Sequence, residues 1–347
     1  MSDADEVVPY ETLLRRVERI FAAHLDTADA AFVAGCLVEA DARGIASHGI
    51  GRIPVYTKRL RLGLVNPRPR LAVSGSGAVG HVDGDNGMGY VVARTAMTHA
   101  IGLAREHGIG LVLAANSNHF GMAATYLQQA LDAGLCALAF TNAPPLMPVW
   151  GGRSPFLGTS PFGFAAPGET PFLLDMATST VAFGRIRRAA RLGQPIPADW
   201  ALDEHGRPTT DPAAAIRGVV LPMAGPKGSG LGLMMEIVAG VMSGAAFGGQ
   251  VRNQNSDFTA PQNVGHAFIA FRPDGALSIG DYRARFAALI ERARASEPAD
   301  GVPRIVMPGE REAMLAAAAR RDGLRVVAQD LRMLREEEDL AAACQPA

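Results

Sequence analysis

GIGLVLAAN (residues 108–116) is a short apolar run that leads directly into the polar stretch NSNHFG (116–121). A short apolar run bounded by glycine predicts a buried strand. Helices are predicted on either side of this unit, at about residues 90–106 and 121–133. Polar side chains at the carboxyl end of a strand are well placed to face a ligand, although Asn and Ser at this point can also simply cap the next helix.

The middle of the chain continues with alternating strand and helix signals in no strict order. Strands are predicted at LCALAFTN (135–142), FGFAAP (162–167), FLLDMA (172–177) and GHAFIAF (265–271). A glycine-introduced helix is predicted from about residue 230 to 244, and the segment 184–211, rich in Pro, Gly and charge, is interpreted as a surface excursion. The pattern therefore indicates an α/β (α+β) fold.

Both ends of the chain are predicted to be helical. Apolar residues recur at helical spacing between residues 10 and 25, and Asp26 or Thr27 can cap a second helix that runs to about Asp41. The pattern is helical again beyond Asp281, including residues 309–321. We therefore expect a helical domain made of residues 1–75 and 285–347, beside an α/β domain of residues 76–284.

One glycine motif in the sequence suggests a dinucleotide fingerprint but fails on its context. GSGAVG (75–80) fits GxGxxG, yet the following HVDGDNGMG is too glycine-rich and polar to form the helix that the fingerprint requires. We expect a turn between two strands at this position.

Composition excludes several classes of function. The 347 residues carry a formal net charge of −1 with both signs mixed, which argues against nucleic acid or an anionic membrane as partner. The three cysteines (Cys36, Cys136 and Cys344) show no CxxC spacing, as expected of reduced thiols in the cytoplasm. The acidic N-terminus lacks the features of a signal peptide, and no apolar stretch reaches the length of a membrane span. The composition favours a cytoplasmic protein that binds a small molecule.

The stretch SHGIGR (47–52), followed by Tyr56, concentrates groups suited to a 2-oxoacid site. His48 titrates near neutrality and can transfer a proton. The Arg52 guanidinium can hold a carboxylate with two hydrogen bonds, and Tyr56 adds a phenol that can reach the substrate. The alternative is that His48 and Arg52 are ordinary surface residues of a loop. A second histidine after the strand, His119, strengthens the interpretation as an acid/base site.

Two further segments carry groups that can bind a cofactor. GPKGSG (225–230) precedes an apolar helix, so an anion can approach the free N–H groups of the helix start beside Lys227. DMATS (175–179) follows a strand, and its hydroxyl and carboxylate groups can contact a ribose or cap a helix. No spacing typical of a metal site occurs, and no metal is expected.

Several long blocks in the same order resemble the malate/L-lactate dehydrogenase family of the second type. The matching blocks, spread over roughly residues 10–325, are ARGIASHGIGRIPVY, NSNHFG, GTSPFGFAAP, DMATS, WALDEHGRPTTDP, GPKGSGLGLMMEIVAGVMSGA and NVGHAFIA. That family includes ureidoglycolate, sulfolactate and 2,3-diketogulonate enzymes and Δ1-piperideine-2-carboxylate reductase. The resemblance implies a fold unlike Rossmann dehydrogenases, with a largely antiparallel sheet, a helical domain from both chain ends and a homodimeric assembly.

The resemblance also implies roles for individual residues. His48 is expected to be the proton donor, oriented by Ser47 and Asp175, and Arg52 is expected to bind the substrate carboxylate. His119 is expected near the nicotinamide, and some family members are assigned their acid/base group there. Thr141 and Thr159 are expected to line the substrate pocket. The implied contacts to NAD or NADP are His119, Phe120, Gly121, Asp175, Met176, Ala177, Thr178, Arg185, Lys227, Gly228, Pro308, Gly309 and Glu310.

Two positions depart from the family pattern. Ala46 stands where many relatives have an acidic residue, which bears on how His48 is held, and Arg185 stands where a lysine is common, which bears on phosphate contacts. The expected activity is hydride transfer between NAD(P) and a small 2-hydroxy or 2-oxo acid. A cyclic imino acid reductase that uses the same site, and a catalytically silent binding protein of the same fold, are the alternatives. The sequence does not decide the acid or the choice between NAD and NADP.

Overall fold

A computed structural model describes residues 5–344 of the chain. Its helices are α1 (Tyr10–Ala22), α2 (Thr27–Ala42), α3 (Ile53–Arg61), α4 (Gly89–His107), α5 (Ala123–Asp132), α6 (Phe183–Leu192), α7 (Pro212–Arg217), α8 (Pro226–Met235), α9 (Ile279–Arg294), α10 (Glu310–Asp322) and α11 (Ala328–Ala343). Its strands are β1 (Glu6–Val8), β2 (Ala72–Ser76), β3 (Val79–Asp83), β4 (Ile109–Ser117), β5 (Cys136–Thr141), β6 (Phe162–Ala166), β7 (Phe172–Met176), β8 (Ala201–Leu202), β9 (Val219–Val220), β10 (Val264–Phe271) and β11 (Leu324–Val326). Two 3-10 turns, at Ala46–His48 and Ile50–Arg52, precede α3, and a π-helical turn at Glu236–Val241 follows α8. None of the helices in this range has the length and apolar character needed to cross a bilayer.

A seven-stranded sheet organises the middle of the chain, in the order β2-β3-β4-β10-β5-β6-β7. Strands β3 and β4 are parallel, and each of the other neighbouring pairs is antiparallel. β10 lies between β4 and β5 and is buried along most of its length, as its apolar sequence requires. The mixed, mostly antiparallel sheet agrees with the expected α/β (α+β) class and differs from the parallel sheet of a doubly wound dinucleotide fold.

Helices cover both faces of the sheet. On one face, α4 and α5 bury alanine-rich surfaces, including Ala93, Ala96 and Ala100 of α4, whose small side chains let the helix lie close to the strands. On the other face, α8 inserts Met235 against Leu113 and the strands beside it. The edge at which β4 and β5 end and β10 begins lies between these two layers, and the loops that leave this edge carry the polar residues of the site.

The first and last described elements of the chain lie side by side. β1 pairs antiparallel with β11, with Val8 opposite Leu324, and α1, α2, α10 and α11 share one apolar cluster. α2 begins where the sequence predicts, because the Asp26 side chain accepts a hydrogen bond from the Asp29 N–H. An ion pair of 2.8 Å between Arg16 of α1 and Glu338 of α11 joins the first and last helices.

The structure corrects several expected boundaries. The divisions expected at 75/76 and 284/285 cut through β2 and α9, so we propose that both elements belong with the sheet; the Tyr282 hydroxyl of α9 donates to the Pro167 carbonyl. The segment 184–211 is not only a surface excursion, since it contains most of α6, which buries Ile186. The helix expected from residue 230 begins at Pro226. Residues 75–80 form the turn between β2 and β3, as the context of the glycine motif predicts.

Candidate active site

The loop between α2 and α3 is folded around a buried carboxyl group. Asp41 at the end of α2 accepts a hydrogen bond of 2.8 Å from the Ile50 N–H. Gly49 makes this possible because any Cβ at that position would overlap the Asp41 carboxyl group. The contact fixes the two 3-10 turns that carry Ser47, His48 and Arg52 at the start of α3. The glycine of SHG is therefore required by packing against α2.

His48 and His119 form a stacked pair, here called the histidine pair. Their ring centroids lie 5.5 Å apart with an interplanar angle of 16°. His48 Nδ1 lies 2.9 Å from the Ser47 hydroxyl oxygen, which supports the orienting role expected of Ser47. Burial of the ring, with a smaller contribution from the positive charge of Arg52, lowers the pKa of His48 to about 4. The His48 ring is therefore neutral at neutral pH.

His119 reaches the histidine pair from the carboxyl end of β4. Its Nδ1 lies 2.7 Å from the Tyr56 hydroxyl, which in turn lies 3.3 Å from the Tyr90 hydroxyl. The Gly121 N–H also donates to Nδ1, at 3.4 Å. Burial, followed by the neighbouring His48, holds the pKa of His119 well below its usual value. Tyr56 is thus placed to orient His119, and its hydroxyl is already engaged.

Arg52 brings an unneutralised positive charge to the same place. Its Nε donates to the Ser47 carbonyl at 2.7 Å, and its Nη1 donates to the Asn255 side-chain oxygen at 3.2 Å. No carboxylate pairs with Arg52 within residues 5–344. Because both contacts are to neutral oxygen atoms, the charge of the guanidinium is available to a carboxylate ligand.

Asp175 does not make the contact that the sequence analysis expects. Its carboxylate accepts a hydrogen bond of 2.8 Å from the Ala124 N–H at the start of α5, and the structure shows no hydrogen bond from Asp175 to His48 among the described residues. Burial raises the pKa of Asp175 to about 6. The free N–H groups of the helix start explain this position, because a carboxylate there caps the helix and interacts favourably with its dipole. The structure therefore provides no direct support for Asp175 as the group that orients His48.

Threonine residues expected at the ligand lie near the same sheet edge. The Thr141 hydroxyl is buried and donates to the Gly265 carbonyl at 2.9 Å, and Thr178 donates through its backbone N–H and hydroxyl to the Thr159 carbonyl. Beside Thr159, the buried Ser160 hydroxyl has no hydrogen-bond partner within the described chain. Ser160, which the sequence pattern did not single out, therefore has a buried hydroxyl whose hydrogen-bonding capacity is unused within the described residues.

The remaining expected cofactor residues fall into two groups. Lys227 in the first turn of α8 and Arg185 of α6 are exposed, and neither forms an ion pair within the range that the structure describes. Gly228 is required because a Cβ there would overlap the Met223 carbonyl. The Pro308 carbonyl accepts a hydrogen bond from Leu173 of β7, which brings residues 308–310 beside the strand that leads to Asp175.

Three residues expected to contact the cofactor, Glu310, Phe120 and Gly121, are in contact with other side chains of the protein. The Glu310 carboxylate is engaged by Arg294 and Arg304. Phe120 is buried and stacks on His266 at 4.8 Å, so its ring belongs to the core. The ring of Tyr90 occupies the space beside Gly121 that a side chain would take.

Besides Ser160, three residues of the site were missed in the sequence. The buried His266 of β10 has its Nδ1 2.8 Å from the Thr141 hydroxyl and its Nε2 2.9 Å from the Ser117 hydroxyl, which joins the ends of β5 and β4. Gln262 accepts a hydrogen bond from the His119 N–H at 3.2 Å, and Asn255 holds Arg52. A histidine inside the apolar run GHAFIAF was a usable signal for His266. Asn255 and Gln262 gave no local signal, because their partners lie far away in the sequence.

The buried Asp41 carboxyl predicts an unusual dependence of stability on pH. Burial raises its pKa from 3.8 to about 7, so its contribution to stability is complete below about pH 3.8 and is lost as the pH rises through about 7. In Asp41→Asn this loss is absent. We expect the free energy of unfolding of the variant, relative to the wild type, to increase by about 2 kcal/mol between pH 5 and pH 8. Urea unfolding of both proteins at the two pH values measures it, and a difference that does not change with pH would contradict the assignment.

The residues that gather here have no arrangement suited to a metal ion. Within residues 5–344, no group of three or more His, Cys, Asp or Glu side chains is placed to hold one. The groups that are present are two neutral imidazoles, one guanidinium and the hydroxyls of Ser47 and Tyr56. This set can bind a carboxylate and transfer a proton.

Known proteins share this chain's sequence and fold. The profile of the malate/L-lactate dehydrogenase family matches residues 8–335. L-sulfolactate dehydrogenase of Methanocaldococcus jannaschii is 40% identical over 82% of this chain and 82% of its own. (2R)-3-Sulfolactate dehydrogenase (NADP(+)) of Chromohalobacter salexigens is 38% identical over 80% of this chain and 86% of its own. The solved structure of the M. jannaschii enzyme superposes with a TM-score of 0.92 at 34% identity and covers 97% of this chain and 98% of that one.

These matches confirm the family expected from the blocks around His48, His119 and Lys227. They extend over most of each chain, so the similarity is not limited to a shared domain or motif. The expectation that the protein is a dehydrogenase enzyme is confirmed with the family. The chain belongs to the malate/L-lactate dehydrogenase family.

Proposed function

We propose that the protein interconverts a short 2-hydroxy acid and the corresponding 2-oxo acid with NAD or NADP, and that Arg52 binds the acid's carboxylate. The observation that carries the proposal is the histidine pair beside a guanidinium that no carboxylate neutralises within the described residues. An acid bound to Arg52 would bring its C2 oxygen within reach of one of the two imidazoles. These are the groups that a hydroxyacid dehydrogenase needs for binding and proton transfer.

Hydrogen bonding favours His48 as the proton-transfer group. The Gly121 N–H can only donate, so His119 Nδ1 is the acceptor and the neutral ring carries its proton on Nε2. The partner of His48 Nδ1 is the Ser47 hydroxyl, which can donate or accept. His48 can therefore take up or release a proton at Nε2 while Ser47 turns to follow it. His119 is better suited to donate a hydrogen bond to the acid than to remove its proton.

Several of the expected cofactor residues carry groups suited to a nicotinamide dinucleotide. The buried, unpartnered Ser160 hydroxyl suits an amide or ribose group, and the unpaired charges of Lys227 and Arg185 suit phosphate oxygens. We propose that these three side chains hold the dinucleotide together with the backbone of residues 175–178 and 308–310, since the Asp175 and Glu310 carboxylates already have partners. When bound, the cofactor supplies or accepts the hydride. A direct test is to measure the dissociation constant of NADPH by fluorescence for Lys227→Ala and Arg185→Ala. We expect both variants to bind NADPH more weakly than the wild type, with a larger dissociation constant.

The proposed substrate class is a short acid of the sulfolactate or malate type. Two relatives above are sulfolactate dehydrogenases, which supports an acid with a second anionic group. The test is oxidation of NADH and of NADPH with sulfopyruvate, oxaloacetate, pyruvate, 2-oxoglutarate and Δ1-piperideine-2-carboxylate. Preferred turnover of the cyclic compound would favour an imino acid reductase instead. No turnover with any of them would favour a catalytically silent protein.

The lowered pKa of His48 predicts the pH profile of the oxidative reaction. A neutral His48 is the base that accepts the hydroxyl proton, and burial with Arg52 keeps it neutral down to about pH 4. A positively charged nicotinamide ring bound beside His48 would lower its pKa further in the same direction. We expect kcat/KM for the hydroxy acid to stay constant as the pH falls from 9 to 6 and to decline only as it approaches about 4. A decline centred near the ordinary histidine value of 6.5 would contradict this assignment.

An exposed apolar stripe supports the proposal that the protein is a homodimer. It lies on α8 and the π-helical turn and consists of Leu233, Met234, Ile237, Val241 and Met242. Contiguous apolar surface of this kind is typical of an interface. Light scattering after size exclusion measures the assembly, and we expect Ile237→Glu to shift it towards the monomer.

Cys36, Cys136 and Cys344 are free thiols, which supports a cytoplasmic location.

A further inference from the structure

Arg59 is an almost completely buried arginine without a carboxylate partner. It lies on α3 with an exposed fraction of only 1% and forms no ion pair in the range 5–344. Removing a guanidinium from water is costly, and burial lowers the pKa of Arg59; the nearby Asp257 carboxylate, which forms its ion pair with Arg252, offsets only part of this. Because burying the Arg59 guanidinium destabilises the fold, we expect this side chain to have a specific role.

The partners of Arg59 are two backbone carbonyls of one connection, here called the 252–262 loop. Its Nη1 donates to the Asp257 carbonyl at 2.8 Å, and its Nη2 donates to the Ala260 carbonyl at 3.1 Å. The fork of the guanidinium thus spans the loop between residues 257 and 260. The loop itself connects the α8 region to β10 and has no helix or strand of its own.

The 252–262 loop contacts both ionisable parts of the site. On one side of the segment held by Arg59, the Asn255 side chain accepts the hydrogen bond from Arg52. On the other side, the Gln262 side chain accepts from the His119 N–H. Gln262 is fixed in turn by donating to the Arg252 carbonyl at 2.9 Å. The position of the loop therefore affects both the Arg52 guanidinium, which is the proposed carboxylate-binding group, and the histidine pair.

The spacing along α3 brings these functions onto one helix face. Arg52, Tyr56 and Arg59 are separated by four and three residues, which is the repeat of one helical face. Arg52 meets Asn255, Tyr56 meets His119, and Arg59 meets the loop backbone. The loop and α3 thus share a continuous line of hydrogen bonds at the site.

We propose that Arg59 is a positioning residue that clamps the 252–262 loop against α3, so that Asn255 holds the Arg52 guanidinium in the orientation that receives the substrate carboxylate. The inference rests on the proposed function, since Arg52 is taken to be the carboxylate anchor. Arg59 itself does not touch the substrate. Its effect on the reaction passes through the loop and Asn255.

The test compares Arg59→Met with Asn255→Ala, the double variant and Arg61→Met. Arg61 is the matched control, because it is also an arginine of α3 but pairs with Glu337 and does not contact the loop. With the best acid of the substrate panel, we expect Arg59→Met to raise the acid's KM about tenfold or more and to leave the cofactor's KM unchanged. Asn255→Ala should raise the acid's KM little further in the Arg59→Met background, because both changes free the same Arg52 guanidinium. Arg59→Lys should be intermediate, since an ammonium group holds the two carbonyls less rigidly.

A second measurement needs no turnover. Trypsin can cut after the exposed Arg252 when the loop opens, and mass spectrometry identifies that cut. We expect Arg59→Met to be cut at this bond about tenfold faster than the wild type and Arg61→Met to be cut at the wild-type rate. If the wild type turns over no acid, the proposed function fails, and the cleavage rate still decides whether Arg59 holds the loop.

Three outcomes would overturn the proposal. One is an unchanged KM for the acid in Asn255→Ala, which is exposed and expected to fold even if Arg59→Met does not. Another is equal cleavage of Arg59→Met and the wild type after Arg252. The third is a parallel rise of both KM values in Arg59→Met, which would indicate a general loss of structure and not a released anchor.

Discussion

Replacing His48 with asparagine should lower kcat for oxidation of the hydroxy acid by about 100- to 10,000-fold, the usual contribution of a positioned general base. Asparagine keeps a polar group beside the Ser47 hydroxyl, so the loop is expected to fold, but its amide is too weak a base to accept the hydroxyl proton. The KM of the acid should change little, because Arg52 still binds the carboxylate. Stopped-flow measurement of a single turnover at 340 nm separates the chemical step from product release.

His119→Asn is the matched comparison for the His48 variant. Both histidines belong to the stacked pair, but His119 Nδ1 accepts a backbone N–H, so we assign it a hydrogen-bonding role. Its loss should lower kcat by only about tenfold. His205→Asn, with a side chain that is 62% exposed, is the neutral control. A larger loss in His119→Asn than in His48→Asn would reverse the assignment of the two rings.

Removing the guanidinium of Arg52 should have the largest effect on substrate binding. We expect Arg52→Ala to lower kcat/KM for the acid by about 30-fold to several thousand-fold, as an unpaired charged partner costs roughly 2–5 kcal/mol. Most of the change should appear in the KM of the acid. Arg52→Lys keeps the charge but loses the fork that also bonds Ser47 and Asn255, so it should recover only part of the activity.

Two controls distinguish lost anchoring from lost structure in the Arg52 variants. Millimolar guanidinium ion should partly restore the activity of Arg52→Ala, because it can occupy the vacated space, and it should not affect Arg61→Ala. The KM of the cofactor should remain that of the wild type. An unchanged KM for the acid in Arg52→Ala would show that another group binds the carboxylate.

Local patterns in the sequence were enough to predict much of the fold. The Asp26 cap, the start of α2 and the buried strands β4 and β10 each follow from a few neighbouring residues. The domain boundaries expected at 75/76 and 284/285 fall inside β2 and α9, and both elements contact the sheet region through distant partners, such as Pro167 for Tyr282. α6 was missed because its composition is charged and only Ile186 is buried.

The reactive residues of the site were easier to predict from the sequence than the residues that hold them in place. His48, Arg52 and His119 stand out as reactive residue types at loop or strand ends, and the structure brings them together. Arg59 and the 252–262 loop give no such signal, because their contacts join residues about 200 positions apart in the chain. For Asp175 the sequence motif was misleading. Its carboxylate accepts a hydrogen bond from the backbone at the start of α5 and makes none to His48 within the described residues.

The most direct test of the proposed function follows the transferred hydrogen itself. The wild-type enzyme is incubated with NADH or NADPH that carries deuterium on one face of C4 of the nicotinamide, together with each oxo acid of the panel. We expect one face to deliver deuterium to C2 of a 2-hydroxy acid, detected by NMR and mass spectrometry, and His48→Asn to lose nearly all of this product. Absence of deuterium at C2 with every acid and from both faces would contradict the proposed function.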